Sequence, residues 1–293
     1  LSMSRNNIKI GVILQGAETP FMKEVLKGIQ EACAEVDNLG GTVLVHKIEH
    51  QNAEDVILAM EKMRMEEVSG IAMVPLDEER VKREIDRFVE EFRIPVVTFT
   101  SDVEDTKRLC FVGQNGVQCG RAAAGLMGEL TGGKGKVAVI SGYSTNTSLS
   151  SRVVGFREEI ARKYPGIEII GPEYCFEENG RAREITEGIF KDVPDLDGIY
   201  LTSHGEEGVC EAIAGAGKAG RVKMVANDFM GRNYELMREG FIHFLIGQDA
   251  RIQGYEPVMI LFRLLFNGEA PERAKIFTEI YIRNEYTIPE GRH

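Results

Sequence analysis

Short apolar runs rich in β-branched residues alternate along this chain with longer amphipathic stretches. Residues 8–14 (IKIGVIL), 42–48, 70–74 and 95–99 read as buried strands, and helical apolar spacing occupies 21–36, 55–65 and 78–92. Strand and helix in strict alternation imply a parallel sheet with helices on both faces. The pattern then starts again. Helices are predicted over 116–130, 152–164, 180–190, 208–216, around 234–238 and over 252–266, with strands over 136–140, 167–170, 198–202, 222–226 and 241–246. A last β-branched and aromatic run, 276–283, closes the chain. With 293 residues, two such sets imply two domains.

The stretch 94–120 (IPVVTFTSDVEDTKRLCFVGQNGVQCG) organises the rest. Val96, Val97 and Phe99 form a buried-type strand that runs out into Thr100, Ser101 and Asp102. A second apolar run, 109–112, ends in Gln114 and Asn115. Polar side chains delivered from the carboxyl ends of parallel strands mark the ligand edge of an open α/β sheet. This stretch is therefore the expected floor of a binding cleft and the first crossing between two lobes. No Pro/Ser-rich linker separates the halves, so several strand-like crossings are expected, a hinge that favours closure around a ligand.

The formal net charge of -11 argues against this chain gripping nucleic acid by itself, because phosphate binding needs a basic face. The five cysteines (Cys33, Cys110, Cys119, Cys175 and Cys210) are scattered, with no CxxC, and read as free thiols of a reducing cytosol. No apolar run is long enough for a membrane span, and no signal peptide is visible. Gly215-Ala-Gly217-Lys-Ala-Gly220 matches GxGxxG but follows a helix and precedes a strand, the wrong order for dinucleotide binding. It reads as a helix C-cap with a glycine turn. Gly128 to Gly135 approaches a P-loop but lacks the Ser or Thr that binds magnesium. The histidines, His46 and His50 among them, have no metal-ligand spacing, and no cofactor is implied. Ser203-His204 is a poor nucleophile–base pair, since neighbours on an extended chain point to opposite faces; a polar strand end is the better reading. Asn146-Thr147-Ser148 is a glycosylation sequon by pattern only.

The ordered set 15–21, 98–102, 152–156, Asn227-Asp228 and Gln248 resembles the effector-binding domain of LacI/GalR-type bacterial repressors and the related periplasmic pentose- and hexose-binding proteins. The resemblance covers the chain from about residue 8 onward. It implies two doubly wound parallel-sheet α/β lobes with a hinged cleft, the periplasmic-binding-protein type I fold. The N-terminal lobe would hold 8–112 plus 249–276 and the C-terminal lobe 113–248 plus 277–293. The family's polar-Pro-Phe turn matches Glu18-Thr19-Pro20-Phe21, with Thr19 where Asn is usual; Phe21 either stacks on a sugar face or belongs to the core. Thr100 stands where the family has Asp, so Ser101 and Asp102 take over or the ligand differs. Asn115 also replaces an Asp. The family's R-x-x-G-F at a helix start matches Arg152 to Phe156, the arginine offering fixed donors to hydroxyls or remaining a surface residue. Phe176 resembles a second aromatic wall, and Ser203 replaces an Asn. Asp228 matches the family's strand-end aspartate and Gln248 the glutamine of the second crossing. Asp228 would accept two sugar hydroxyls, the alternative being a helix N-cap.

Apart from the resemblance, polar groups gathered where strands end, with aromatics nearby and no catalytic set, describe a small polar ligand site. The leading expectation is the ligand-sensing domain of a cytoplasmic LacI-type regulator, taking a sugar or polyol. It would act as a homodimer on operator DNA, through a helix-turn-helix encoded upstream. Dimerisation would use helices 55–65 and 78–92, with Met60, Met63 and Met65 packing across a two-fold axis or against their own sheet. The alternative is an exported sugar-binding protein of an ABC transporter, and the third class is an enzyme on a doubly wound fold.

Overall fold

The structure is a computed structural model that describes residues 8–290. Along the first half run β1 (Lys9–Gln15), α1 (Pro20–Asn38), β2 (Thr42–Ile48), α2 (Ala53–Met65), β3 (Gly70–Met73), α3 (Glu79–Glu90), β4 (Val96–Phe99) and β5 (Cys110–Gln114). The second half begins with α4 (Gly116–Thr131), β6 (Lys134–Ser141), α5 (Thr147–Lys163), β7 (Gly166–Tyr174) and α6 (Asn179–Asp192). It continues through β8 (Gly198–Leu201), α7 (Glu206–Gly215), β9 (Lys223–Asn227), α8 (Asn233–Arg238) and β10 (Phe244–Gly247). The chain ends with α9 (Ala250–Asn267), β11 (Lys275–Thr278) and β12 (Tyr281–Arg283).

Two compact units result. One runs to Gln114 and resumes over Asp249–Glu279; the other covers Asn115–Gln248 and resumes at Ile280. The first holds a six-stranded sheet in the order β2-β1-β3-β4-β5-β11, all neighbours parallel. The second repeats the order as β7-β6-β8-β9-β10-β12, parallel except that β12 runs antiparallel to β10. In both, the first strand of the unit lies between the second and third, so the order reverses there and the carboxyl ends form a switch-point crevice.

The expected closing run 276–283 is two strands rather than one. Lys275 to Thr278 register with Phe111 to Gln114, whereas Tyr281 to Arg283 pair with Leu245 to Gly247. Gly113, Gln114 and 277–279 accordingly belong to the first unit, since the β5–β11 ladder ties them to it. A second difference concerns α5, which starts at Thr147 rather than 152. The Asn146 side chain caps it by accepting from Leu149 N (3.2 Å), so the sequon is a helix start. Ser151 turns its hydroxyl back onto the Ser148 carbonyl (3.0 Å), which lets a serine-rich turn remain helical.

In the first unit, Val56, Met60 and Met63 of α2 join Ile13, Ile71, Ile85 and Phe88 in one core. Met60 and Met63 thus face their own sheet, the second of the two readings, and only Met65 is exposed (77%). The second sheet is covered on both faces. α4 and α5 enclose Val139, Phe156 and Tyr200, and α6 to α8 enclose Ile140, Leu201 and Met224. The glycine turn after α7 has positive φ at Gly217 and Gly220, as a C-terminal stop requires.

α4 and α5 approach so closely that a Cβ on Gly120 would lie 2.0 Å from the Arg152 carbonyl oxygen, and one on Gly155 2.0 Å from that of Val117. Gly125, also on α4, has nothing within 4 Å of its missing Cβ. Gly120→Ala should therefore destabilise by about 1–3 kcal/mol, the helices being forced apart, whereas Gly125→Ala should stabilise by roughly 0.5–1 kcal/mol. Urea midpoints at constant slope check both.

Candidate functional site

In the first unit the turn after β1 places Glu18 exposed and Phe21 half-buried as the second residue of α1. Thr19 is the N-cap of that helix, accepting from Met22 N at 3.3 Å, and Pro20 occupies the first helical position. The polar-Pro-Phe turn is thus a helix start that presents the Phe21 ring. After β4, Thr100 has φ 59°, a costly left-handed setting for a β-branched residue, and its N–H donates to the Val112 carbonyl (3.0 Å). Ser101 is buried.

Asp102 is engaged locally. Its Oδ1 accepts from the Thr98 hydroxyl (2.7 Å) and from Arg108 Nε, and its Oδ2 accepts from Arg108 Nη2 (2.6 Å). Both side chains are largely shielded, 12% and 9% exposed, so this is a bidentate ion pair that holds the 102–108 loop to the sheet. Asn115, likewise, spends its side-chain oxygen as the N-cap of α4, accepting from Gln118 N (3.1 Å). In both, side-chain acceptors are already engaged in local structure.

In the second unit the strand ends converge. Arg152 is not at a helix start but in the second turn of α5, and it is buried, not a surface residue (2% exposed). Its Nη1 donates to the Thr202 carbonyl at the end of β8 (2.5 Å). Burial weighs against its charge, and Asp228 and Glu177 are among the groups whose fields support it. Asp228 follows β9 with φ 74°, its N–H donating to the Ile246 carbonyl (2.7 Å). It is not an N-cap, because α8 begins after Arg232. Its Oδ1 accepts from Gln248 Nε2 (3.2 Å) at the end of β10. Burial pushes the Asp228 carboxyl up from its ordinary value, with Arg152 and the Gln248 bond pulling the other way. Ser203 is 4% exposed, and its hydroxyl has no hydrogen-bond partner in the structure. Phe176 is half exposed, has φ 54°, and packs against Tyr143 with ring centroids 5.5 Å apart.

The structure thus brings together Arg152, Phe176, Ser203, Asp228 and Gln248 on one carboxyl edge. It adds residues that sequence reasoning missed. Glu206, at the start of α7, is buried; its Oε2 faces His204 Nδ1 (2.9 Å) and accepts from Gly205 N (3.1 Å), while its Oε1 accepts from Asn233 Nδ2 (3.3 Å). The Glu206 bond holds the His204 imidazole above its ordinary pKa, with burial opposing. Glu177 follows Phe176 with φ 59°, and burial pushes its carboxyl up to about 7. The available signal was the His-x-Glu spacing, with Glu206 opening a helix whose dipole suits a carboxylate. Among the described residues, no group of three or more His, Cys, Asp or Glu could hold a metal ion, and no helix is long and apolar enough to cross a membrane.

Comparison with known proteins settles the family. The family described as "Periplasmic binding protein domain" matches residues 10–270. This chain belongs to it. Among relatives of this periplasmic binding protein, the D-allose-binding periplasmic protein of Escherichia coli is 23% identical over 248 residues, covering 81% of this chain and 78% of the relative. The D-ribose/D-allose-binding protein of Pseudomonas aeruginosa is 25% identical over 230 residues, 75% of this chain and 70% of that one. A solved ABC transporter solute-binding protein from Agrobacterium vitis with bound D-fucose superposes with TM-score 0.88 at 26% identity, covering 97% of each chain. The glucose–galactose binding protein GanP from Geobacillus stearothermophilus shares the fold, with TM-score 0.88 at 23% identity over 96% of this chain and 99% of its own. The two-lobed type I fold expected above is the fold of this family.

Two outcomes follow from the electrostatics. Asp102→Ala would leave Arg108 shielded without its carboxylate and should destabilise the first unit by about 3–5 kcal/mol, read by denaturant titration. Glu177 and His204 both hold protons more tightly folded than unfolded, so their contribution to stability is present at low pH and lost as pH rises through their folded pKa values. Ligand-free stability should therefore fall between about pH 4.5 and 7 through Glu177 and from about pH 6.5 upward through His204, and Glu177→Gln should flatten the first part of that slope and gain roughly 1 kcal/mol above pH 7.

Proposed function

We propose that this chain binds a sugar or closely related polyhydroxylated molecule as the solute-binding component of an ABC transporter. The observation that carries this reading is the pair formed by a buried Arg152 and a left-handed Asp228 at the strand ends of the C-terminal unit, with Gln248 fixing the carboxylate. Arg152 supplies donors and Asp228 supplies acceptors, the combination a hydroxyl needs, since each hydroxyl both donates and accepts. Ser203 adds a buried hydroxyl, and Phe176 an apolar face for the ring carbons of a sugar. In the first unit, Phe21, Thr100 and Ser101 remain proposed contacts, and Glu18 stands at the exposed rim of its turn. The names of the relatives, sugar-binding proteins of transport systems, weigh toward transport over regulation. The reading is one of binding, without a reaction.

One observation favours the regulator as a second reading. All five cysteines are free, and all but Cys33 are buried, an arrangement at home in a reducing cytosol. That reading carries the cytoplasmic location, the homodimer and an operator-binding helix-turn-helix upstream. The gene's own start decides between them, a basic helix-turn-helix against an apolar export segment.

Asp228→Ala should weaken binding of D-ribose, D-allose or D-galactose, whichever the wild type takes, by tenfold to a hundredfold, about 1.5–3 kcal/mol. The ligand-free melting temperature should change little, because losing the Asp228 field at Arg152 is offset by relieving a desolvated carboxyl, and Arg152 keeps its bond to the Thr202 carbonyl. Calorimetry and thermal shift on the same preparations check both. Unchanged affinity in a destabilised variant would make Asp228 structural and remove the basis of the reading.

A further inference from the structure

The three carboxylates of the C-terminal edge are not equivalently employed. Asp228 is bonded by Gln248 and faces Arg152, and Glu206 is bonded by His204, Gly205 and Asn233. Among the described residues the Glu177 carboxylate has no such hydrogen bond or ion pair, only the fields of His204 and Arg152, and its backbone is the second of two successive non-glycine residues in the left-handed region. Backbone strain of that kind persists where the surrounding structure needs a side chain in one place.

That place is defined by Gly142. A Cβ built there would lie 2.8 Å from Glu177 Cγ and 2.8 Å from Ser203 Oγ. Lacking a Cβ, Gly142 lets the Glu177 side chain, the Ser203 hydroxyl and Leu149 Cδ1 close on its backbone, and so sets a carboxylate-bearing side chain beside a hydroxyl that is buried and unpartnered. Beside it stand the Phe176 and Tyr143 rings, whose centroids are 5.5 Å apart. A carboxylate next to aromatic faces is the combination that holds an ammonium group, by charge and by the ring quadrupole. A neutral hydroxyl would satisfy the serine but leave the Glu177 charge uncompensated in a partly desolvated position.

We propose that the sugar bound by this protein carries a protonated amine, received by Glu177 with Ser203 and the Phe176–Tyr143 pair. The inference rests on the sugar-binding reading above and specifies the ligand class. The amine's charge complements Glu177, while Arg152 and Asp228 remain engaged with hydroxyls. The titratable and charged groups facing Glu177 are His204 and Glu206 from the β8–α7 turn, Asp228 from β9 and Arg152 from α5. Tyr143 from the end of β6 also feels its charge. Of these, His204 and Arg152 oppose an added cation; His204 is already bonded to Glu206, and Arg152 lies in the field of Asp228.

The test compares matched probes, D-glucose with D-glucosamine and D-galactose with D-galactosamine, by calorimetry on the wild type and on Glu177→Gln. At pH 7.5 the wild type should prefer the amine of at least one pair by about tenfold or more, and the preference should collapse toward unity in the variant. In the wild type alone, amine affinity should rise from pH 6 to pH 7.5 as Glu177 gives up its proton, with no such rise for the neutral sugar; this arm needs no variant. Equal affinities within each pair, or a preference that survives Glu177→Gln, overturns the inference. Binding of neutral sugars with no amine bound overturns it and leaves the sugar-binding reading standing. Binding of neither class at millimolar concentration overturns both.

Discussion

The C-terminal unit is built around a guanidinium taken out of water. Arg152 is among the most buried charged groups in the molecule, and a buried charge is tolerated only where hydrogen bonds and opposite charge surround it. The Thr202 carbonyl is one such partner, and the fields of Asp228 and Glu177 are others. Each comes from a different strand end: β8, β9 and β7. The arginine therefore requires the sheet order that sets these ends side by side, and it requires α5 against the sheet. The second requirement is met by Gly120 and Gly155, which let the α4 and α5 backbones touch where any side chain would hold them apart. A packing device several residues from the polar edge thus fixes the donor on which that edge depends.

Strain in the backbone follows the same edges. Among the described residues, the non-glycine positions with positive φ are Glu67, Arg93, Thr100, Asp105, Phe176, Glu177 and Asp228. Four of these directly follow or closely follow strands: Thr100 after β4, Phe176 and Glu177 after β7, and Asp228 after β9. Glycine would relieve each, yet side chains stand there, and such settings cost on the order of 1–3 kcal/mol apiece. In the N-terminal unit Asp102 is held by Arg108 and Thr98, whereas Gln15 donates to the Val74 carbonyl (2.8 Å) and leaves its own Oε1 buried without a partner. In the C-terminal unit the Ser203 hydroxyl is likewise buried without a partner, and burial raises the Glu177 carboxyl.

Much of the architecture was legible because the signals were local. Apolar runs of strand length and amphipathic runs of helix length alternate without ambiguity, and every strand of the two sheets has a counterpart in a predicted run. The misses came where local signals compete with tertiary ones. The serine-rich turn before Arg152 reads as loop by propensity, but its hydroxyls bond back into the helix and Asn146 caps it. The run 276–283 has uniform β character, and only pairing partners show that it divides between two sheets. Met60 and Met63 look available for a partner until the core that receives them is seen.

The site was less legible than the fold for a related reason. Position in a motif identifies which residues stand at strand ends, and Arg152, Ser203, Asp228 and Gln248 are there. It does not say which acceptors local structure has already engaged. Asp102 and Asn115 carry suitable chemistry at suitable positions, yet one is held by Arg108 and the other caps α4. Conversely, Glu177 and Glu206 belong to no motif and reach the edge through a left-handed turn and a helix start. A carboxylate therefore counts toward recognition only by what remains after the protein's own bonds are assigned. By that measure Asp228 keeps acceptor capacity beyond its bond from Gln248, whereas Glu206 is fully engaged. The edge thus holds, in Glu177, a carboxyl that no motif marks and whose pKa burial raises to about 7.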